Sequence, residues 1–319
     1  MKSGKFEYLR LSIIDRCNLR CLYCKPQRTS DRGKKGYITP SDIKSILNFF
    51  VKIGTRKLRI TGGEPLLRDD ISDIIRIISS FPEIKDIGLT TNGILLAGVC
   101  PLLSSAGLRR INISLPSLLK DRYKYITGTD IEYVMKGIDT ALDNGIKVKL
   151  NMVAYGEEIF EELPHIVKYL SIRELELRFI EYMPLCTQSY QKGAFVPSQK
   201  IEDALRERFG FVYAENGNQI VSRRYFRDDI RGQIGFIKPI TQPFCNICNK
   251  VRVNCYGYLT TCLFSNNYID ILGLIKGSSF EYAREQISKF TIQNDRKPDI
   301  QSIFEGKIIS SRAMVEIGG

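Results

Sequence analysis

The chain has 319 residues, which is long for a single hydrophobic core and enough for one large domain with an appendage. Hydrophobic residues make up 43% and charged residues 26%, and no stretch approaches about 18 uncharged apolar residues, so we expect a cytoplasmic protein without a signal peptide or membrane span. The formal charge of +12 fits nucleic acid, an anionic membrane surface or a polyanionic small molecule as partner, but no run of five or more Lys and Arg residues indicates a nucleic-acid-binding tail.

Strand and helix patterns alternate over residues 1–184. We predict strands at 8–14, 57–61, 86–90, 109–115, 147–155 and 173–183. We predict helices at 41–54, 69–81, 131–145 and 158–170, and a further short helix before the fourth strand. Because each strand-plus-helix unit takes about 25–40 residues, the strands should be parallel and joined by helical crossovers. The pattern predicts an α/β fold, an incomplete (β/α)6 TIM-like barrel.

The alternation ends after residue 184. A helix is predicted at 201–210, followed by short strands, a second group of cysteines and an irregular tail that ends at Gly318 and Gly319. We therefore predict two parts, the partial barrel over 1–184 and a smaller C-terminal α+β region over 185–319.

Three cysteines, Cys17, Cys21 and Cys24, follow the first predicted strand with the spacing C-x3-C-x2-C. A structural zinc site requires four ligands, and the single histidine, His165, lies far along the chain in a predicted helix. Thiolates also suit iron–sulfur clusters, and three of them on four irons leave one iron open for a small chelate, such as the amino and carboxylate groups of S-adenosylmethionine (SAM). A partial zinc site and a structural cysteine loop are the alternatives.

This stretch resembles the signature of the radical SAM superfamily, with Tyr23 as the aromatic residue before the third cysteine. The sequence TGGEP after the second strand resembles the superfamily's second motif, although Gly-Gly and Pro are also ordinary turn residues. The resemblance implies a 4Fe–4S cluster on the three cysteines and SAM cleavage to a 5′-deoxyadenosyl radical. It also implies that the residues lining the SAM site are Tyr23, Gly63, Ser114 and Met183.

A second group, Cys245, Cys248 and Cys262, has the spacing C-x2-C-x13-C. A zinc ribbon would need a second closely spaced pair, so a three-thiolate cluster is the better interpretation. Cys255 lies between these cysteines, and we expect it not to be a ligand. The C-terminal region is thus predicted to carry a second iron–sulfur cluster.

With both cysteine groups, the chain is similar to the GTP 3′,8-cyclases of molybdenum cofactor biosynthesis. The similarity rests on LRLSIIDRCNLRCLYC, KLRITGGEPLLRDD, LRFIEYM, the second cysteine group and the terminal Gly-Gly. It implies a radical SAM lyase with two 4Fe–4S clusters that converts GTP to (8S)-3′,8-cyclo-7,8-dihydroguanosine 5′-triphosphate. The implied partners are GTP, SAM, an electron donor and a downstream cyclic pyranopterin monophosphate synthase.

The same resemblance implies a set of GTP contacts. They are Arg10 and Arg59 at the ends of strands 1 and 2, Thr90, Lys149, Lys250 and Arg252. Lys57 and Arg178 are further candidate cations, and residues that could assist turnover are Arg252, Gly318 and Gly319. Lys57 and Arg59 should share one face of a buried strand, where a charge needs a partner such as a triphosphate.

Two positions depart from the family's pattern. Lys250 stands where arginine is usual, which keeps the charge but loses the planar fork, and Pro116 stands where an acidic residue is common. Two other functions fit the motifs less completely: a radical SAM enzyme with an auxiliary cluster that modifies a peptide, and a non-enzymatic iron–sulfur protein that binds RNA. We expect a monomer or homodimer that does not bind nucleic acid.

Overall fold

The computed structural model describes residues 6–24, 36–185, 191, 193–214 and 223–294. The strands are β1 (Tyr8–Ser12), β2 (Lys57–Thr61), β3 (Asp86–Thr91), β4 (Arg110–Ser114), β5 (Lys147–Ala154), β6 (Glu176–Glu181), β7 (Val212–Tyr213), β8 (Arg223–Phe226), β9 (Gln233–Ile237), β10 (Lys250–Val253), β11 (Tyr258–Thr260) and β12 (Ile269–Asp270). The helices are α1 (Pro40–Lys52), α2 (Ile71–Ser79), α3 (Leu96–Ser105), α4 (Lys120–Thr127), α5 (Glu132–Asp143), α6 (Ile159–Ser171), α7 (Ser198–Phe209), α8 (Ile271–Gly277) and α9 (Phe280–Gln293).

All of these strands belong to one sheet with the order β12-β11-β10-β1-β2-β3-β4-β5-β6-β9-β8-β7. The strands from β10 through β1–β6 to β9 run parallel to their neighbours, and the outer strands on both sides are antiparallel. The C-terminal strands therefore extend the first six strands at both edges. Parallel neighbours bring the carboxyl ends of β1 to β6 to the same side of the sheet.

The two faces of the sheet differ in chemistry. In β5 every second residue is buried, and Leu150 and Met152 pack in the core with apolar residues of the helices. Lys149 and Asn151 point to the opposite face because side chains alternate along a strand. One face of the sheet therefore forms the hydrophobic core and the other carries polar and charged side chains.

The polar faces of distant strands interact with each other. Arg178 on β6 and Arg59 on β2 are separated in the sheet by β3, β4 and β5. Burial lowers the pKa of Arg178 to about 10, Glu176 acts against this change, and Arg59 lowers it further. The side chains of Arg178 and Arg59 therefore lie near enough for their charges to interact, although three strands separate β2 from β6 in the sheet.

Helix α1 shows how the local sequence sets an element. Thr39 accepts a hydrogen bond from the backbone N–H of Asp42, and the Asp42 side chain accepts one from the backbone of Thr39. This capping box, with Pro40 at the start of the helix, satisfies backbone donors that would otherwise lack partners.

The structure confirms the predicted strands β1 to β6 and the predicted helices α1, α2, α3, α5, α6 and α7. The sixth strand is shorter than predicted, and α4 was not predicted because its sequence has a weak apolar periodicity. The prediction of an irregular tail is wrong for 271–293, where α8 and α9 form. Gly318 and Gly319 lie outside the described residues, and the division at residue 184 stays a prediction.

In the part of the chain that the structure describes, no helix combines the length and the apolar character needed to span a bilayer.

A buried carboxylate joins the first six strands to the C-terminal region. Glu181, the last residue of β6, is fully buried and accepts hydrogen bonds from the backbone N–H groups of Ser198, Ile240 and Thr241 at 2.9–3.2 Å, and from the Thr241 hydroxyl. A single side chain thus satisfies donors from the start of α7 and from the segment after β9.

Glu181→Gln should lower the free energy of unfolding by about 1–3 kcal/mol, because the amide nitrogen of Gln would face backbone N–H donors. Urea denaturation followed by circular dichroism measures the change. Glu207→Gln on α7 is the matched control, since its side chain is 69% exposed, and it should stay within about 0.5 kcal/mol. Equal stability of the two variants would contradict this role of Glu181.

Candidate functional site

The loop that carries the first cysteine group is held by the backbone of the Gly-Gly-Glu-Pro turn. The N–H of Gly63 donates to the carbonyl of Ile14 at 2.7 Å, and the N–H of Glu64 donates to the carbonyl of Arg16 at 2.8 Å. A Cβ atom at position 63 would lie 2.1 Å from the Arg16 carbonyl oxygen. Glycine is therefore required at position 63 for contact with the cysteine loop. Only the carbonyl oxygen of Gly63 is an acceptor, so the predicted contact with the amino group of SAM would use that oxygen.

Helix α4 supports the other side of the same loop. The N–H of Leu22 donates to the carbonyl of Ile126 at 3.0 Å, and the N–H of Arg20 donates to that of Thr127 at 3.5 Å. Tyr123, on the same helix, is completely buried. The cysteine loop thus lies between the turn after β2 and the end of α4.

The three cysteines of this loop are partly buried thiols with hydrogen-bond donors nearby. The Sγ atom of Cys17 accepts from the backbone N–H of Leu19 at 3.4 Å and from Nδ2 of Asn92 at 3.8 Å. Burial raises the pKa of Cys17, and it raises that of Cys21 to about 12. Donors aimed at a sulfur are the usual surroundings of an iron–sulfur ligand, and a bound metal offsets the cost of burying a thiolate.

Across the described ranges, no three Cys, His, Asp or Glu side chains lie close enough together to hold a single metal ion. Thiolates are the ligands that iron–sulfur clusters use in proteins, so the donor set of the first cysteine group fits such a cluster.

The sequence analysis assigned no role of its own to Glu64 within the Gly-Gly-Glu-Pro motif, but its carboxylate organises the site. It is 1% exposed and accepts hydrogen bonds from the Thr91 hydroxyl and the N–H of Asn92, both at 2.7 Å, and from the N–H of Leu66 at 3.0 Å. Burial is the largest influence on its pKa, which it raises to about 7. Because Asn92 also reaches Cys17, Glu64 connects the ends of β2 and β3 to the first cysteine. A carboxyl group three residues after a buried strand is the signal that could have identified it.

The structure places the four predicted SAM residues at the same edge of the sheet. Gly63 follows β2, Ser114 ends β4 and Met183 follows β6, while Tyr23 lies in the cysteine loop after β1. The ring of Tyr23 packs against Tyr155, with centroids 6.1 Å apart. Their contacts with SAM stay predictions.

Three arginines lie side by side on the polar face. Arg252 of β10, Arg10 of β1 and Arg59 of β2 are register partners on adjacent parallel strands, which are about 4.8 Å apart. Arg10 and Arg59 occupy the middle of their strands, so their predicted location at the strand ends is wrong. We call these residues the arginine row.

Arg59 is buried, and the structure makes room for its side chain. Its Nε atom donates to the hydroxyl of Tyr8 at 3.4 Å, whereas Nη1 has no hydrogen-bond partner among the described residues. Gly88 is its register partner on β3, and a Cβ atom there would lie 1.5 Å from Nη1. The guanidinium therefore occupies space that a side chain at position 88 would fill. Its Nη1 atom remains a hydrogen-bond donor without a partner among the described residues.

The electrostatics of the row show how closely its charges are packed. Burial, and then the charge of Arg10, lowers the pKa of Arg252 to about 9. Burial alone would raise the pKa of Tyr8, but Arg10 and Arg59 lower it to about 8. Buried like charges on one wall are costly without a counter-charge, so this arrangement favours an anion of high charge as ligand.

Further polar groups continue the row across the sheet. Thr90, Asn112, Lys149 and Glu176 are register neighbours on β3 to β6. Lys149 pairs with Glu176 at 2.5 Å, and Arg224 of β8 reaches the same carboxylate at 3.3 Å. In the described part of the chain, the Thr90 hydroxyl and Oδ1 of Asn112 are buried without hydrogen-bond partners.

The two remaining candidate cations differ from each other. Arg178 donates to Oδ1 of Asn151 at 2.8 Å and faces the interior. Lys57 is exposed and pairs with Glu7 at 3.1 Å, so the expectation that it is buried beside Arg59 is wrong.

The second cysteine group lies next to the arginine row. Cys245 begins a 3-10 turn, Cys248 precedes β10 and Cys262 follows β11. The pKa of Arg252 is also influenced by Cys262 and Cys248, which places these two thiols close to that guanidinium. Lys250 lies over the ring of Phe244 at 4.9 Å and that of Tyr8 at 5.8 Å.

Two other features lie apart from these residues. Cys255 is completely buried in the turn between β10 and β11, and its carbonyl accepts from the N–H of Ile38. A cavity of about 850 Å³ lies between α4 and the segment after β5, next to Arg122 and Tyr155. It contains none of the predicted site residues.

Comparison with known proteins gives both sequence and fold relatives. Residues 11–170 match the radical SAM superfamily, and residues 175–301 match the family described as Molybdenum Cofactor Synthesis C. A GTP 3′,8-cyclase of Alkaliphilus oremlandii is 36% identical over 99% of this chain and 98% of its own length. A GTP 3′,8-cyclase of Clostridium acetobutylicum is 40% identical over 85% of both chains. SuiB of Streptococcus suis bound to S-adenosylmethionine has a TM-score of 0.67 at 14% identity, over 97% of this chain and 73% of SuiB, and shows likeness of fold alone.

Gly63→Ala should prevent the cysteine loop from docking, because the new Cβ atom would overlap a backbone oxygen that has no freedom to move. Iron analysis of the anaerobically reconstituted protein should show the loss of the iron that the first cysteine group holds in the wild-type protein. Gly98→Ala is the matched control, since no atom lies within 4 Å of a Cβ built there, and it should retain its iron. Full iron content in Gly63→Ala would show that the loop does not depend on this contact.

Proposed function

The chain belongs to the radical SAM superfamily and, within it, to the family of the GTP 3′,8-cyclases, and we propose that it catalyses the reaction for which that family is named. It converts GTP to (8S)-3′,8-cyclo-7,8-dihydroguanosine 5′-triphosphate, the first step of molybdenum cofactor biosynthesis.

The arginine row is the observation that carries the choice of substrate. Three guanidinium groups on adjacent strands, one of them with a free buried donor, need an anion of high charge. A nucleoside triphosphate supplies that charge, and its oxygens can accept paired hydrogen bonds from arginine. The row lies beside the second cysteine group, so a nucleotide with its phosphates on the row has its base within reach of those cysteines.

SAM and an iron–sulfur cluster follow from the family, and we propose that the first cysteine group holds that cluster. Bound there, the cluster would supply the electron for reductive cleavage of SAM. The proposed residues around SAM are those at the strand ends: Tyr23, Gly63, Ser114 and Met183. We propose a second 4Fe–4S cluster on Cys245, Cys248 and Cys262, where it would hold the guanine base.

The side chains of this chain bind and orient GTP. In this proposal Arg10, Arg59 and Arg252 hold the phosphates, and Lys149 leaves Glu176 to join them. Thr90 and Lys250 complete the set. The buried hydroxyl of Thr90 and the buried oxygen of Asn112 would gain partners from the nucleotide. Exclusion of water from this pocket strengthens every one of these contacts.

We also infer that the sheet curls into an incomplete barrel around this pocket. Support comes from the mutual influence of Arg178 and Arg59 across three intervening strands, and from the similarity of the whole fold to SuiB. The pocket would open at the carboxyl ends of β1 to β6, as in other parallel barrels. An electron donor and a cyclic pyranopterin monophosphate synthase are the proposed partners, acting before and after this step.

Anaerobic incubation with reductant, SAM and GTP tests the function directly. The cyclised nucleotide and 5′-deoxyadenosine should form in equal amounts, and both should require GTP. A SAM-dependent reaction with a peptide, but none with GTP, would indicate the peptide-modifying alternative. Salt-sensitive RNA binding without SAM cleavage would indicate the RNA-binding alternative.

A further inference from the structure

A buried carboxylate connects three distant segments next to the first cysteine loop. Asp15, which is 4% exposed, accepts a hydrogen bond from the Tyr37 hydroxyl through Oδ1 and another from the Tyr256 hydroxyl through Oδ2, each at 2.7 Å. Tyr37 precedes α1, and Tyr256 lies in the turn between β10 and β11. We call these three residues the Asp15 bridge.

The bridge lies where the two halves of the proposed active site separate. Strands β1 and β10 pair side by side up to Leu11 and Val253. Beyond their ends, one chain continues to Cys17 and the other turns back into β11. Asp15 and Tyr256 are each the third residue past the end of their strand, so their hydrogen bond joins the two chains just after the ladder ends.

Both ends of this hydrogen bond are fixed by the backbone. The carbonyls of Ile14 and Arg16, on either side of Asp15, accept from the turn after β2. Oδ1 of Asn254 accepts from the N–H groups of Tyr256 and Tyr258 at 3.0 and 2.9 Å, which fixes the turn that carries Tyr256. The hydrogen bond between Asp15 and Tyr256 is charge-assisted and joins two segments that are themselves held in place. It therefore fixes the position of one segment relative to the other.

The two phenols remain hydrogen-bond donors throughout the physiological pH range. Burial, followed by the hydrogen bond to Asp15, raises the pKa of Tyr37 to about 12 and raises that of Tyr256 above its usual range. Neither phenol ionises near neutral pH, so both hydroxyls keep the proton that they donate to Asp15.

We propose that the Asp15 bridge sets the position of the first cysteine loop relative to the strand that carries Arg252, and thereby couples SAM cleavage to reaction of GTP. The inference rests on the proposed function. Displacement of a reacting atom by about 1 Å can cost about a hundredfold in rate, so the place of SAM cleavage and the ribose must be held at a fixed separation. Asp15, Tyr37 and Tyr256 are positioning residues, because they act through the loop and the strand.

Tyr256→Phe tests the inference, since it removes one hydroxyl and keeps the ring. The fully loaded variant should release at least about threefold more 5′-deoxyadenosine than cyclised nucleotide, because radicals formed out of position are quenched. Hydrogen–deuterium exchange of the loaded protein without GTP should become faster at residues 13–16 and 254–258, a readout that is independent of turnover. Tyr37→Phe leaves the Asp15–Tyr256 bond in place and should shift the product ratio less.

Tyr169→Phe is the matched control, because within the described chain its buried hydroxyl has no hydrogen-bond partner. It should keep the wild-type ratio and the wild-type exchange of both segments. If Tyr256→Phe released 5′-deoxyadenosine and cyclised nucleotide in the same ratio as Tyr169→Phe, the inference would be overturned and the proposed function would stay intact. Absence of cyclised nucleotide from the wild-type protein would instead refute the proposed function.

Discussion

Repulsion among the arginines of β10, β1 and β2 is the constraint on which the rest of the structure depends. Like charges that lie directly opposite each other on neighbouring strands are destabilising, and burial increases that cost. Favourable interactions elsewhere in the folded protein must therefore offset the free-energy cost of this repulsion. The hydrophobic core on the other face of the sheet, where the strands pack with the helices, supplies that stabilisation.

The structure accommodates these charges by local arrangements. Gly88 leaves space for the Arg59 guanidinium, and the Tyr8 hydroxyl accepts a hydrogen bond from Nε of the same side chain. Glu176 already holds Lys149 and Arg224, so it contributes less to neutralising the row. The positive charge is thus concentrated on one wall of the pocket, where a triphosphate would offset the repulsion on binding. In the proposed mode of binding, some stability of the empty protein is exchanged for affinity toward the triphosphate.

Fixed contacts around the cysteine loop complement this charged wall. The turn after β2 holds the loop through two backbone hydrogen bonds, and Glu64 holds that turn to β3. Glu181 performs a similar task at the carboxyl end of β6, where it joins that strand to the C-terminal region. Buried carboxylates with several donors therefore fix the strand ends at which the chemistry is proposed to occur.

The sequence predicted the alternation of β1 to β6 with their helices, because the apolar periodicity of each element is local. It also identified both cysteine groups, since ligand spacing is a local pattern. It did not predict that β9 and β10 would extend the sheet at opposite edges, because that pairing depends on contacts between residues far apart in the chain. For the same reason Glu64, Glu181 and the Asp15 bridge were missed. Their partners lie on other elements, and only the fold brings them together.

The affinity of Arg59→Met for GTP is the most direct test of the charged wall. Anaerobic equilibrium dialysis against the loaded protein should show that Kd rises by roughly 10- to 100-fold, as expected for the loss of a charged hydrogen bond, while SAM binds as before. Lys57→Met on the same strand is the matched control, because Lys57 is exposed and paired with Glu7, and it should change Kd by less than about twofold. Unchanged GTP affinity in Arg59→Met, or an equal loss in Lys57→Met, would contradict the account.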